Sequence, residues 1–490
     1  MLEFTSAGGF GNLPLVPERV NVMDRLKRRG SGTPKDPLAQ KIFLLAMGVG
    51  LVRFFLLGEW SLWLDEAFTL ADVNHREGMD NPLGYGFFGL FYGFAEGRPD
   101  EFLMRLPSAV FGWLVIPASF FVLRPILNAR CAAGAALVIA CSSWHLYWSQ
   151  NARFYTLAQF LALGGGGVFL AGIERGRSRL VGVGLVFIGL SPMAHPSALL
   201  LGVPIVMVPW MSLWFQRPPI QAIEDVPWNL LSLCAFLGAG AGAGWALEVW
   251  SKYQDQKSGV STLHLAMTAG YYLTPTVGLA FLYGAWMVYK DRTHRGFIPL
   301  AVAVPALCFA GLASLFVLVS AQYVFVILPW IAAVAVVPLL KNITRVRSTV
   351  LFLLVLVAPG TLDSTLYFFR NGDRPRWREA YAFVFEHRGD NDLLFGMDAP
   401  VGEFYLNPWK TDLRDWAEVT WLDSFRARQN QDWQRYDRRI WYVVNHELLE
   451  AWTQEQRVEF KAILRDCREV ANFPVRWTPR DLGVSVYVKE

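Results

Sequence analysis

Cysteine and histidine are both scarce in this 490-residue chain, at five and seven copies. Four of the cysteines (Cys131, Cys141, Cys234 and Cys308) lie in or near long apolar runs, which leaves Cys467 alone in the polar C-terminal region. A single cysteine there cannot close an internal disulfide, and neither a CxxC pair nor a His/Cys metal spacing is present. Cysteine chemistry is therefore excluded as the mechanism, and no metal is assigned. Internal repeats of the solenoid or inverted-transporter kind are also missing. No cleavable signal peptide is expected: the first forty residues are polar and contain Pro and Gly, so the first apolar run reads as a retained anchor. Few ionisable residues sit deep in apolar runs, which argues against a flippase carrying a headgroup across a bilayer.

What is abundant is apolar sequence. Hydrophobic residues make up 53% of the chain, with 20 Trp and 35 Phe. The apolar runs reach about 17–22 residues, long enough to cross a hydrocarbon core as helices. About eleven are read, at 42–58, 103–123, 130–148, 154–172, 180–194, 197–215, 229–247, 271–289, 297–319, 322–340 and 348–368. The fold expected is a polytopic α-helical membrane protein. Glycine tracts at 164–167 and 238–244 fall inside these runs and read as close helix packing rather than phosphate loops.

Lys and Arg set the orientation. They cluster in the N-terminal tail (Arg19, Arg25, Lys27, Arg28, Arg29, Lys35) and in alternate loops, as at Arg175, Arg177 and Arg179 or Lys341, Arg345 and Arg347. The opposite loops are acidic or mixed. Residues 1–40 are thus expected to be a cytoplasmic tail and 41–369 the transmembrane domain, with its first outer loop at 58–102. Residues 370–490 follow a turn-rich junction, Arg370-Asn371-Gly372-Asp373-Arg374-Pro375, and alternate strand-like and helical runs; they are expected to form an extracytoplasmic α/β domain. The net charge of +4 reflects this topology and implies no nucleic-acid partner.

The first outer loop carries the most informative stretch, Ser61-Leu62-Trp63-Leu64-Asp65-Glu66-Ala67. Two adjacent carboxylates at the mouth of a span are expensive near lipid and mark a candidate site. An N-cap for a helix starting near Ala67 is the plainer alternative for Asp65. By topology three further polar segments open on the same face. They are Trp144 to Tyr155, which includes Gln150 and Arg153; Met193 to Ser197, with His195; and Ser320 to Tyr323, with Gln322. A cation, amides, a histidine and tyrosines at one face suit an anionic group. Trp144, Tyr147 and Trp148 read better as interfacial anchors.

In this order the segments resemble the polytopic glycosyltransferases that use polyprenyl-phosphate sugars, specifically glycosyltransferase family 39, which includes protein O-mannosyltransferases and the lipid A aminoarabinose transferase. The carrying motifs are Trp-x-Asp-Glu (Trp63 to Glu66), Arg-Leu-Pro-Ser (Arg105 to Ser108), Ser-Gln-x-Ala-Arg-x-Tyr (Ser149 to Tyr155), the later His195, and Arg-Pro-Arg-Trp-Arg-Glu (Arg374 to Glu379). The resemblance implies a GT-C fold. It also implies transfer of a monosaccharide from a polyprenyl (undecaprenyl) phosphate to an acceptor hydroxyl, with inversion. Asp65 would be the general base, and Glu66 would orient the acceptor or a cation. Arg153, Gln150 and Tyr155, with Gln322 and Tyr323, would hold the phosphate, and His195, Arg105 and Lys252 would complete the site. This chain has Gln322-Tyr323 where many relatives have Arg-Tyr, so Arg105 or Lys252 is a candidate replacement cation. No cofactor is assigned, although the resemblance leaves a divalent metal open. The expected partners are the lipid-linked donor, a lipid, glycan or protein acceptor, and the bilayer. The expected location is the bacterial inner membrane, with the C-terminal domain periplasmic. A lipid-linked glycan ligase and a non-catalytic membrane scaffold are the competing readings.

Overall fold

The apolar runs become helices because a helix satisfies every backbone N–H and C=O within its own segment. The computed structural model describes residues 36–74, 80–215, 262–291, 295–343, 345–410, 418–422 and 438–490, with isolated positions at 229, 247 and 251. The expected tail before residue 36, nearly all of the span at 229–247, and Lys252 lie outside the described residues.

The first half contains α1 (Pro37–Phe54), α2 (Leu64–Asn74), α3 (Pro82–Tyr92), α4 (Glu101–Ile126), α5 (Ala129–Ala140), α6 (Ser143–Ser149), α7 (Tyr155–Arg175), α8 (Ser178–Ala194) and α9 (Pro196–Trp214). The second contains α10 (Thr262–Leu273), α11 (Pro275–Lys290), α12 (Phe297–Ala313), α13 (Ala321–Leu339) and α14 (Val346–Phe369). Among the described residues six helices are long and apolar enough to cross a membrane, or up to eight if each bent pair is one span. Large apolar side chains such as Leu351, Leu354, Val355 and Leu362 on α14 point outward, where lipid would cover them. Helices α7 and α8 approach so closely that a methyl on Gly184 would lie 2.5 Å from the Phe169 backbone nitrogen.

Two expected spans are bent. Residues 130–148 split into α5 and α6 at 63°. Ser142 caps α6 by accepting from the His145 amide at 3.3 Å, and the buried Arg53 guanidinium donates to the last α5 carbonyls, Ile139 (2.9 Å) and Ala140 (3.3 Å). Those bonds satisfy backbone groups that the break would otherwise strand inside the bundle. Helices α10 and α11 meet at 102°. There Pro275 opens α11, and Thr274 before it takes φ 60°, outside the helical region that a following proline disfavours.

The C-terminal region is a five-stranded mixed sheet with helices. Its elements are α15 (Trp377–His387), β1 (Leu393–Gly396), α16 (Ala399–Leu406), β2 (Thr420–Trp421), β3 (Ile440–Asn445), α17 (His446–Ala451), α18 (Gln454–Leu464), β4 (Arg468–Phe473) and β5 (Val484–Lys489). The strand order is β2-β1-β3-β5-β4, with β1 parallel to β2 and β3, and β5 antiparallel to β3 and β4. Thr453 and Gln456 form a capping box that starts α18.

This domain is bolted to the loop before α2. The Leu62 amide donates to the Tyr405 hydroxyl at 2.8 Å, and the Arg378 amide donates to Ser61 Oγ at 3.1 Å. The Arg378 guanidinium reaches Glu101 (2.6 Å) and the Gly58 carbonyl (2.8 Å), and Arg98 donates to the Asn407 carbonyl at 2.9 Å. At the junction Gly372 (φ 63°) lies against Trp60, where a Cβ would come within 2.7 Å of the indole.

Candidate active site

Asp65 and Glu66 enter α2 in its first turn, about 100° apart around the helix axis. That rotation gives them opposite surroundings. Glu66 points inward and is fully buried. Its Oε1 accepts from Arg105 Nε (2.8 Å) and the Ala152 amide (2.8 Å); its Oε2 accepts from Arg105 Nη2 (2.9 Å) and the Trp63 amide (2.9 Å). Arg374 adds a second cation at 3.4 Å. Burial alone would raise the carboxyl, but Arg105, Arg374 and these hydrogen bonds outweigh it and bring Glu66 down to about 2.

Arg105 is not a phosphate partner. It is fully buried, and its five N–H groups are committed to Glu66 twice and to the carbonyls of Leu57, Trp60 and Ser61. Gln150 is likewise spent. Its Nε2 donates to the carbonyls of Arg53 (3.1 Å) and Phe55 (2.7 Å), while its Oε1 accepts from the Trp60 indole (3.2 Å). Both side chains build the wall of the site and leave no donor for a ligand. Arg374, marked in the sequence only as part of the Arg-Pro-Arg-Trp-Arg-Glu motif, also belongs to this wall. It donates to Tyr367, to the Gly372 carbonyl and to the Gln150 carbonyl.

Asp65 faces the other way. It is half-buried, and its carboxylate accepts no hydrogen bond from any described residue. Arg153 stands beside it. Its Nη1 donates to Thr69 Oγ1 at 3.0 Å and approaches the Asp65 carbonyl at 3.4 Å, while Ser108 Oγ holds the Arg153 carbonyl at 2.9 Å. Tyr85 donates to Asp72 at 3.1 Å; burial pushes its hydroxyl up, and nearby Arg153 pulls it back. Thr69, Asp72 and Tyr85 therefore join Asp65 and Arg153 in one polar crevice. A tyrosine on the apolar stretch 82–92 and an acid at helical spacing from Asp65 are the signals that could have found them.

The remaining candidates form a second group. Tyr155 packs at a tilt between Trp148 (4.3 Å between centroids) and His195 (4.2 Å), and Tyr323 lies 6.2 Å beyond His195. His195 and Tyr155 are almost wholly buried; Gln322 is half-buried at the start of α13. His195 Nδ1 is engaged by the hydroxyl and amide of Ser197. Segments distant in sequence thus converge here as well, in an aromatic shelf. Among the described residues no group of three His, Cys, Asp or Glu side chains is placed to hold a metal ion.

No protein-family model matches the chain, and no curated protein matches it by sequence. Solved structures do. ArnT from Cupriavidus metallidurans in the apo state aligns over 92% of this chain and 98% of its own, at TM-score 0.56 and 13% identity. The same protein bound to undecaprenyl phosphate aligns over 91% and 97%, at TM-score 0.54 and 15% identity. The apo oligosaccharyltransferase of Archaeoglobus fulgidus aligns over 85% and 70%, at TM-score 0.51 and 12% identity. The chain shares the GT-C fold of these glycosyltransferases.

Proposed function

We propose that this protein is a membrane glycosyltransferase that moves a monosaccharide from a polyprenyl (undecaprenyl) phosphate to an acceptor hydroxyl. The observation that carries this reading is the placing of Asp65, whose carboxylate accepts no hydrogen bond from any described residue, beside Arg153, which reaches the Asp65 backbone carbonyl and Thr69. The fold it shares with a protein solved with undecaprenyl phosphate supports it.

In the reaction, Asp65 takes the acceptor hydroxyl proton as the acceptor oxygen bonds to the anomeric carbon. The carbon–oxygen bond to the phosphate breaks, and its electron pair leaves on the phosphate oxygen. Attack opposite the leaving group inverts the anomeric carbon. A base placed in this way contributes on the order of 10²–10⁴-fold. Arg153 offers the departing phosphate a fixed charge-assisted donor in place of diffuse headgroup contacts. Glu66 acts through Arg105 and Arg374, fixing the helix on which Asp65 rides. The largely buried aromatic cluster of Tyr155, His195 and Tyr323 backs the site and holds the start of α7 against the start of α13. The protein resides in a bacterial inner membrane with its tail cytoplasmic, its C-terminal domain periplasmic and the site on the outer face, as the distribution of Lys and Arg implies.

The test is binding of undecaprenyl monophosphate and diphosphate by the wild type and Arg153→Ala in nanodiscs. Preference for monophosphate, with affinity about 10- to 100-fold weaker in the variant, is expected from loss of a charge-assisted hydrogen bond. Preference for diphosphate, or indifference to Arg153, would overturn the reading in favour of a glycan ligase.

A further inference from the structure

The Asp65 crevice has a contributor from the other domain. Asp398 precedes α16, the helix that packs on α2, and Tyr405 on the same helix fixes that packing through its bond to the Leu62 amide. Asp398 is only 5% exposed. It does not cap its own helix, and no described residue donates a hydrogen bond to its carboxylate. Buried carboxyl groups are nearly always bonded or paired, so one that is neither calls for an explanation.

The charged and titratable neighbours supply none from within the fold. From α2 the group that faces Asp398 is Asp65, another acid. From α15 it is the buried Tyr381 phenol. On α16 itself Glu403 is taken up by Lys410, Asn407 and the amides of Glu418 and Val419. The arginines that touch α16 do so at its other end, Arg378 beside Tyr405 and Glu101 and Arg98 at Phe404 and the Asn407 carbonyl. Among the described residues no cation pairs with the Asp398 carboxylate.

Building on the transfer reading, we propose that Asp398 is a second acid of the site. It is a positioning residue that keeps a proton beside Asp65, so the pair presents one negative charge rather than two to an anionic lipid phosphate. Burial first, and then the neighbouring Asp65, push the Asp398 carboxyl up to about 7, in accord with this role. Below neutrality the crevice admits the phosphate next to Arg153. Above it, ionised Asp398 repels the phosphate.

The test uses the full chain in nanodiscs and two readouts. Infrared titration of the protonated carboxyl band should show a component that is absent from Asp398→Asn and titrates about one pH unit lower in Asp65→Asn, where the like charge is gone. The Asp65→Asn comparison keeps Asp398 and so stands even if Asp398→Asn fails to fold. Undecaprenyl phosphate affinity should weaken between about pH 6 and 8.5 about tenfold more in the wild type than in Asp398→Asn; the lipid's own ionisation is common to both. A carboxyl band insensitive to both substitutions, or an identical pH dependence of binding, would overturn the proposal. A wild type that binds no undecaprenyl phosphate would instead sink the transfer reading, and the infrared readout would still decide the state of Asp398.

Discussion

The two sides of helix α2 are built on opposite principles, although Asp65 and Glu66 are neighbours in sequence. The inward side is closed: Glu66, Arg105, Arg374 and Gln150 exhaust one another's hydrogen-bonding capacity and exclude solvent. The outward side is underbonded: Asp65 and Asp398 hold carboxylates that accept no hydrogen bond from any described residue, and the Arg153 guanidinium that donates to Thr69 lies beside Asp65. A satisfied buried network fixes geometry, whereas an unsatisfied one is available for chemistry. Rigidity on one side is what allows the other side to be left unfinished.

The sharpest way to break this contrast is Asp65→Asn. It should lower the release of undecaprenyl phosphate from undecaprenyl-phosphate-linked pentoses and hexoses by about 10²–10⁴-fold, while thermal stability in detergent stays near wild type. A scaffold protein would show no such split. Glu66→Ala should do the reverse, destabilising the fold by about 3–5 kcal/mol by leaving Arg105 buried without its carboxylate; thermal unfolding and expression yield report it. Retention of normal stability by that variant would mean that the inward cluster is not structural.

Tyr405→Phe removes the hydroxyl that joins Leu62 and Glu101 across the domain boundary. A loss of about 1–2 kcal/mol is expected, with more of the chain becoming protease-sensitive near residue 60. The remaining effects are in pH. Glu66 is held at about 2 against an ordinary 4.5, so its contribution is complete above 4.5 and disappears as pH falls towards 2. Asp398 has the opposite sign. Raised to about 7 from 3.8, it favours the folded state least once pH has risen through 7. The wild type should therefore lose melting temperature both below about pH 4 and from about pH 4 to 7. Asp398→Asn should remove only the second decline.

Much of this was legible before any coordinates. Spanning helices follow from run length, and the start of the polar domain from the Arg370–Pro375 junction. Strands β1, β3 and β5 appear as short strand-like runs at 392–395, 440–444 and 484–488. Strand β4 was missed because Arg468, Glu469 and Asn472 make it polar and half exposed at the sheet edge, without the alternation that marks a buried strand. The bends within 130–148 and 271–289 were also missed, since hydropathy averages over a break that a single arginine or a Thr-Pro step can cause.

The sequence by itself determined that apolar segments must be helical in lipid and that an Asp-Glu pair and an arginine would gather at one face of the bundle. Those conclusions rest on the cost of unsatisfied backbone in hydrocarbon and of charge near it, which depends on local composition alone. Only the tertiary structure decided which carboxylate remains available, that Arg105 and Gln150 are consumed by the wall, and that Asp398 arrives from more than 300 residues away. Availability is what remains after every other donor and acceptor has found its partner, and partners so distant in sequence are assigned only when the chain is folded.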